Sequence, residues 1–173
     1  MNKLAFLVLL ALVEPQDFVV FNRSLSSFSD GSRKGVRLDE RPGDGVAYLR
    51  GVEFSNGTIE CDIKGKDVQG QSFVGIAFHG VDSTTYDAIY FRPFNFKTPD
   101  PARHGHAVQY ISHPTYPWQK LRAERPEVSV FVGDAKEPSL VVNQLSARTK
   151  GRVGLWVGNG SGGDFADLKI MPP

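Results

Sequence analysis

Eight side chains between positions 90 and 118 carry the chemistry that this chain most clearly offers. Tyr90, Arg92, Asn95, His106, Gln109, Tyr110, His113 and Trp118 combine flat aromatic faces with cationic and neutral hydrogen-bonding groups. Aromatic faces stack on the apolar face of a pyranose ring, and Arg, Asn and Gln exchange hydrogen bonds with its hydroxyls. The enclosing stretch, 72–118, holds all four histidines, four of the five tyrosines and one of the two tryptophans. Between Arg92 and Arg125 lie six Lys/Arg, two Asp/Glu and three His. That positive bias suits an acidic sugar or polymer, and it equally suits a solvated face. The competing structural reading makes the Tyr and Phe rings core residues and pairs Arg92 with Asp87 or Asp100.

His106, His113 and Asp87 are the candidates for acid–base catalysis in the same stretch. His104, His106 and His113 could form a metal site with Asp87 or Asp100, but the spacing matches no standard zinc pattern. No Asp-rich segment has the spacing of a defined calcium loop, although calcium at a loop rim is compatible with the fold class. No metal or other cofactor is therefore assigned. Cys61 is the single cysteine, which excludes an intrachain disulfide. It reads as an inert core residue.

The elements that position these residues read as short strands. The chain has 173 residues, 40% apolar and 11% aromatic, with 18 Gly, 11 Pro and a net charge of +1. This is globular composition for one domain, rich in turns and without the charge of a nucleic-acid-binding protein. Met1-Asn2-Lys3 followed by the apolar run Leu4–Val13 has signal-peptide anatomy and is too short to span a membrane. Export to the periplasm or outside the cell is the expectation, with residues 14–173 as one domain. Nothing in the sequence sets an oligomeric state.

Strands are predicted at Phe18–Phe21, Val36–Leu38, Val46–Leu49, Thr58–Lys64, Ser72–His79, Tyr86–Phe94, His106–Ser112, Val128–Val132, Ser139–Asn143, Gly151–Val157 and Asp164–Met171. Asn22–Gly35 reads as a loop and Trp118–Arg125 as one or two helical turns. In Thr58–Lys64, Ile59, Cys61 and Ile63 point one way and Glu60 and Asp62 the other. Val74, Ile76 and Phe78 form one face of their strand; Phe73, Gly75, Ala77 and His79 form the other. Pairing this strand with the next places Gly75 and Ala77 beneath Tyr90 and Arg92. Roughly ten short strands with hairpin-like turns predict an all-β sandwich or barrel.

Three motifs carry a family resemblance. Gly57-Thr58-Ile59-Glu60-Cys61-Asp62-Ile63 resembles a strand of concanavalin A-like (laminin G-like) jelly-roll domains. Gly151–Val157 with Gly163–Ile170 resembles their closing hairpin. Tyr86–Phe96 with His106–Tyr110 is similar to an exported bacterial subgroup, close to 3-keto-disaccharide hydrolase-like or family 16 glycoside hydrolase-like proteins. The resemblance spans about residues 45–173 and implies a jelly-roll sandwich of two antiparallel sheets with a carbohydrate or glycoside ligand. In the family pattern a further strand lies between Arg125 and Val128, and the region before Val46 is longer.

The resemblance implies an exported carbohydrate-binding domain, or alternatively a glycoside-cleaving hydrolase; a structural or adhesion module is a third reading. Glu60-Cys61-Asp62 begins the Glu-x-Asp-x-x-Glu pattern of retaining glycosidases of this fold, but Gly65 stands where the second Glu belongs. Glu60 and Asp62 therefore read as solvent-facing strand residues. The Asn-x-Ser/Thr sequences at Asn22, Asn56 and Asn159 and the Gly158–Gly163 run read as turns.

Overall fold

The computed structural model describes residues 12–120 and 130–173. The apolar run that suggested a signal peptide lies outside them except for Leu12 and Val13, as does most of the segment 118–125 and Val128.

The described residues form ten strands in two antiparallel sheets. These are β1 (Phe18–Phe21), β2 (Leu25–Asp30), β3 (Arg33–Leu38), β4 (Gly45–Phe54), β5 (Thr58–Lys64), β6 (Val74–Gly80), β7 (Tyr86–Phe91), β8 (Val108–His113), β9 (Gly151–Val157) and β10 (Gly163–Met171). One sheet has the order β1-β4-β9-β6-β7-β8, the other β2-β3-β10-β5. Two one-turn helices, α1 (Pro93–Phe96) and α2 (Pro101–His104), lie between β7 and β8. The chain is thus an all-β sandwich. Its first core cluster draws Val36, Leu38, Phe165 and Leu168 from the smaller sheet and Leu49, Val74, Phe78, Leu155 and Val157 from the larger. Alternation along each strand decides which residues reach it. Ile59, Cys61 and Ile63 pack against this core, and burial pushes the Cys61 thiol up to about 12. Glu60 and Asp62 sit in surface ion pairs with Lys169 and Arg33.

The six-stranded sheet is apolar on both faces. Val46, Tyr48, Ala77, Tyr86, Ala88, Tyr90, Ile111 and Trp156 form a second buried cluster. They alternate with inter-sheet residues on the same strands, so this cluster covers the outer face.

Several predicted elements are corrected. Asn22–Gly35 is not a loop: β2 and the start of β3 form a hairpin there, turning at Gly31, whose φ of 60° suits glycine. Its polar composition reflects an edge strand exposed along most of its length. This hairpin also supplies strands upstream of Val46, where the chain looked short. Of the predicted strands around Val130 and at Ser139–Asn143, the described residues show a bridge between Val130 and Leu140 and a bridge position at Asn143. The apolar spacing there also reflects packing: Leu140, Val142 and Leu145 lean on the first core cluster. β7 ends at Phe91 because Pro93 opens α1. The register puts Gly75 opposite Tyr90 but Ala77 opposite Ala88, with Arg92 past the strand end.

His79 is also re-aimed. Simple alternation puts it on the outer face. A register shift between Ala77 and Gly80 and a φ of 49° at His79 turn its ring toward the inter-sheet side. There its Nδ1 lies 3.4 Å from Oδ2 of Asp87, a fully buried carboxylate. Asp87 also accepts from the Ser146 hydroxyl (2.6 Å), Arg148 Nη2 (3.0 Å) and the Tyr110 hydroxyl (3.1 Å). Arg148 bonds Ser112 Oγ as well, and Tyr110 Oη accepts from Leu145 N. These bonds fasten the irregular segment 140–148 to the β7–β8 edge.

Burial raises the Asp87 carboxyl, but the neighbouring His79, Ser146 and Ser112 side chains and the Arg148 charge outweigh it and hold the group below the usual carboxylate range. A folded-state value below the unfolded one contributes stability that is present above about pH 4 and lost as pH falls through the folded value. Asp87→Asn should therefore cost about 2–4 kcal/mol at pH 7, measured by urea unfolding. The gap to the wild type should narrow as pH is lowered from 5 toward 2. A gap that is constant or widens over that window would contradict the assignment.

Candidate functional site

The outer face of the larger sheet is furnished with rings because one residue beneath them has no side chain. Gly75 lies between Tyr90 on β7 and Trp156 on β9. A Cβ on Gly75 would stand 2.0 Å from the Ile89 carbonyl oxygen. With none present, the Tyr90 and Trp156 rings close to 5.0 Å between centroids. Phe73 meets Tyr90 edge-on at 6.0 Å and Phe94 at 5.9 Å. At the other end Trp156 Nε1 donates to the Tyr86 hydroxyl (3.0 Å), and Tyr86 stacks on His113 at 5.2 Å. The result is an aromatic strip from Phe94 to His113, running across β9, β6, β7 and β8.

A cavity of about 1250 Å³ opens over this strip. All eight sequence-predicted contact residues line it: Tyr90, Arg92, Asn95, His106, Gln109, Tyr110, His113 and Trp118. They do not play equal parts. Tyr110 belongs to the inter-sheet core and reaches the cavity only where it curls round the β8 edge, beside Leu140, Val142 and Leu145. Tyr90 is 3% exposed and forms floor. Trp118, 42% exposed, is the most exposed of the lining Phe, Tyr and Trp rings. For Tyr110 the structural reading therefore holds, and for Tyr90 in large part.

The polar groups divide into two ends. At one end Arg92 stacks on the Tyr90 ring, its Cζ 4.9 Å from the centroid. It donates from Nη2 to the Tyr90 hydroxyl (2.7 Å) and Gln109 Oε1 (2.5 Å), and from Nη1 to the His106 carbonyl (2.6 Å). The Tyr90 hydroxyl donates to Gln109 Oε1 at 2.8 Å. Asn95 and, from α2, Arg103 line the same end. At the other end His113 Nε2 lies 3.8 Å from Asp44 Oδ2. His113 is four residues from Gln109 along β8, so the two ends stand about 13 Å apart at ordinary strand rise.

Asp44 and Asn159 were not foreseen as site residues. They arrive on the turns 41–45 and 158–163, which a buried guanidinium ties together. Arg23 Nη2 donates to the carbonyls of Gly43 (2.7 Å) and Gly158 (2.9 Å), and Nε to Ser161 (3.3 Å). Gly43 N donates to Asn159 Oδ1 at 2.7 Å. Trp156 carried a readable signal, being the one large ring opposite Val153, Leu155 and Val157; Asp44 carried none beyond turn chemistry.

The proposed catalytic trio is split. His106 and His113 line opposite ends of the cavity, while Asp87 lies on the other face of the sheet in the network described above. His104, on α2, is exposed and does not line the cavity. Among the described residues no three His, Cys, Asp or Glu side chains converge as metal ligands. Asp44 is the single carboxylate lining the cavity among the described residues.

Comparison with protein-family models, with curated proteins and with solved structures finds no match to this chain.

Burial raises the Asp44 carboxyl, partly offset by His113 and the Asn159 bond; burial lowers the His113 imidazole, partly offset by Asp44. The His113 ring should titrate below the ordinary imidazole range by NMR. Removing the Asp44 charge with Asp44→Asn should lower it further. An unchanged or higher value in the variant would show that the two groups are not coupled.

Proposed function

We propose that this chain is an exported carbohydrate-binding module of the concanavalin A-like jelly-roll type, and that the cavity over the outer sheet face is its sugar site. The observation that carries this reading is the convergence of a stacking ring, Trp118, with Gln109, Arg92, Asn95, His106 and His113 around one open cavity. A pyranose presents an apolar face for the ring and a circle of hydroxyls that both donate and accept, and the lining offers both functions. The antiparallel two-sheet sandwich is compatible with the jelly-roll resemblance of the motifs. Export rests on the charged start and apolar run at the N-terminus; among the described residues no helix is long and apolar enough to cross a membrane.

Binding is favoured over hydrolysis by the chemistry of the lining. Two-carboxylate glycoside cleavage needs an acid and a base or nucleophile facing one bond. Among the described residues the cavity lining offers Asp44 alone, and Asp87 faces away.

A glycan array followed by calorimetry tests the proposal. A bound oligosaccharide should lose about tenfold in affinity with Gln109→Ala, equivalent to about one net hydrogen bond, with the unfolding midpoint little changed. Absence of any sugar binding at millimolar concentration would sink the reading.

A further inference from the structure

We infer that the sugar this cavity takes is acidic: a uronate-bearing oligosaccharide whose carboxylate is received by Arg103. The inference rests on the sugar-site reading above and names its ligand class.

Two features lead to it. Arg103 is half-buried on α2 and lines the cavity, and its guanidinium has no hydrogen bond or ion pair with the described residues. Asp100 of the same helix is occupied as its cap, accepting from Ala102 N at 2.9 Å. A planar guanidinium held against a cavity wall matches a carboxylate in geometry and charge.

A uronic acid supplies the carboxylate that such a guanidinium takes.

The second feature is charge placement. Arg92 and Arg103 line one end, and the single lining carboxylate among the described residues, Asp44, stands beside His113 at the other. With about 13 Å between the ends, an acidic residue at the arginine end leaves room for a neighbouring sugar whose hydroxyls donate to Asp44. The polarity sets the direction of the chain in the site.

The test uses the full chain and calorimetric titration. Oligogalacturonides, oligoglucuronides, and mannuronate and guluronate oligomers are each compared with their carboxyl-reduced, neutral counterparts. At least one acidic oligomer should bind about tenfold or more tighter than its reduced form, with the preference falling as salt rises. Arg103→Ala should erase that preference, with Arg103→Lys retaining part of it. Equal affinity for acidic and reduced forms would overturn the charge assignment and leave the sugar site standing. Binding of neither form would bring down both. A preference that survives Arg103→Ala would overturn the role given to Arg103.

Discussion

The contact of Tyr90 with Trp156 over Gly75 is the constraint on which the site depends. A sheet face with ordinary side chains at the Gly75 position would hold these rings apart. Without a Cβ there, they close, and Phe73, Phe94, Tyr86 and His113 extend the contact into a strip. Aromatic pairs in such tilted and edge-on geometries contribute about 0.5–1.5 kcal/mol each beyond burial. The strip therefore stabilises an outer face that no second sheet covers, and it gives Arg92 a surface on which to lie. Arg92 in turn aligns Gln109 and the Tyr90 hydroxyl. The polar chemistry of the cavity is thus held by an apolar floor, which is how a site keeps its geometry before any ligand arrives.

The two faces of the six-stranded sheet divide the work. On the inner side the Asp87 carboxylate collects His79, Tyr110, Ser146 and Arg148 and fixes the irregular segment 140–148 along the β8 edge. That segment contributes Leu140, Val142 and Leu145 to the cavity wall. On the outer side Arg23 ties the turns that carry Asp44 and Asn159. One buried anion and one buried cation, on elements far apart in sequence, each pin a loop that shapes the same cavity. Both satisfy the demand that a buried charge be fully bonded.

Period-two alternation made much of this legible. It placed Ile59, Cys61 and Ile63 inward, set Trp156 opposite Val153, Leu155 and Val157, and put Tyr86, Ala88 and Tyr90 on one face. The same alternation already places Asp87 on the other face, away from Tyr90. Eight of the residues that line the cavity fall in one readable stretch because β7, β8 and the segments beside them are contiguous. Three kinds of feature were not readable. β2 hides in polar composition because an edge strand buries little. Leu140 and Val142 alternate as a strand does, yet among the described residues their periodicity reports contact with the core more than pairing, which comes to a bridge at Leu140. Asp44 reaches the site through tertiary contacts from Arg23 and Asn159, and His79 through a bulge; neither leaves a local signal.

The chain contains two tryptophans, and both Trp118 and Trp156 line the cavity. Intrinsic tryptophan emission is therefore a direct report on this site. The account predicts a saturable change in emission on titration with the bound oligosaccharide, with the same midpoint as the calorimetric titration. Calorimetric binding that leaves the emission untouched would place the sugar elsewhere and contradict the account.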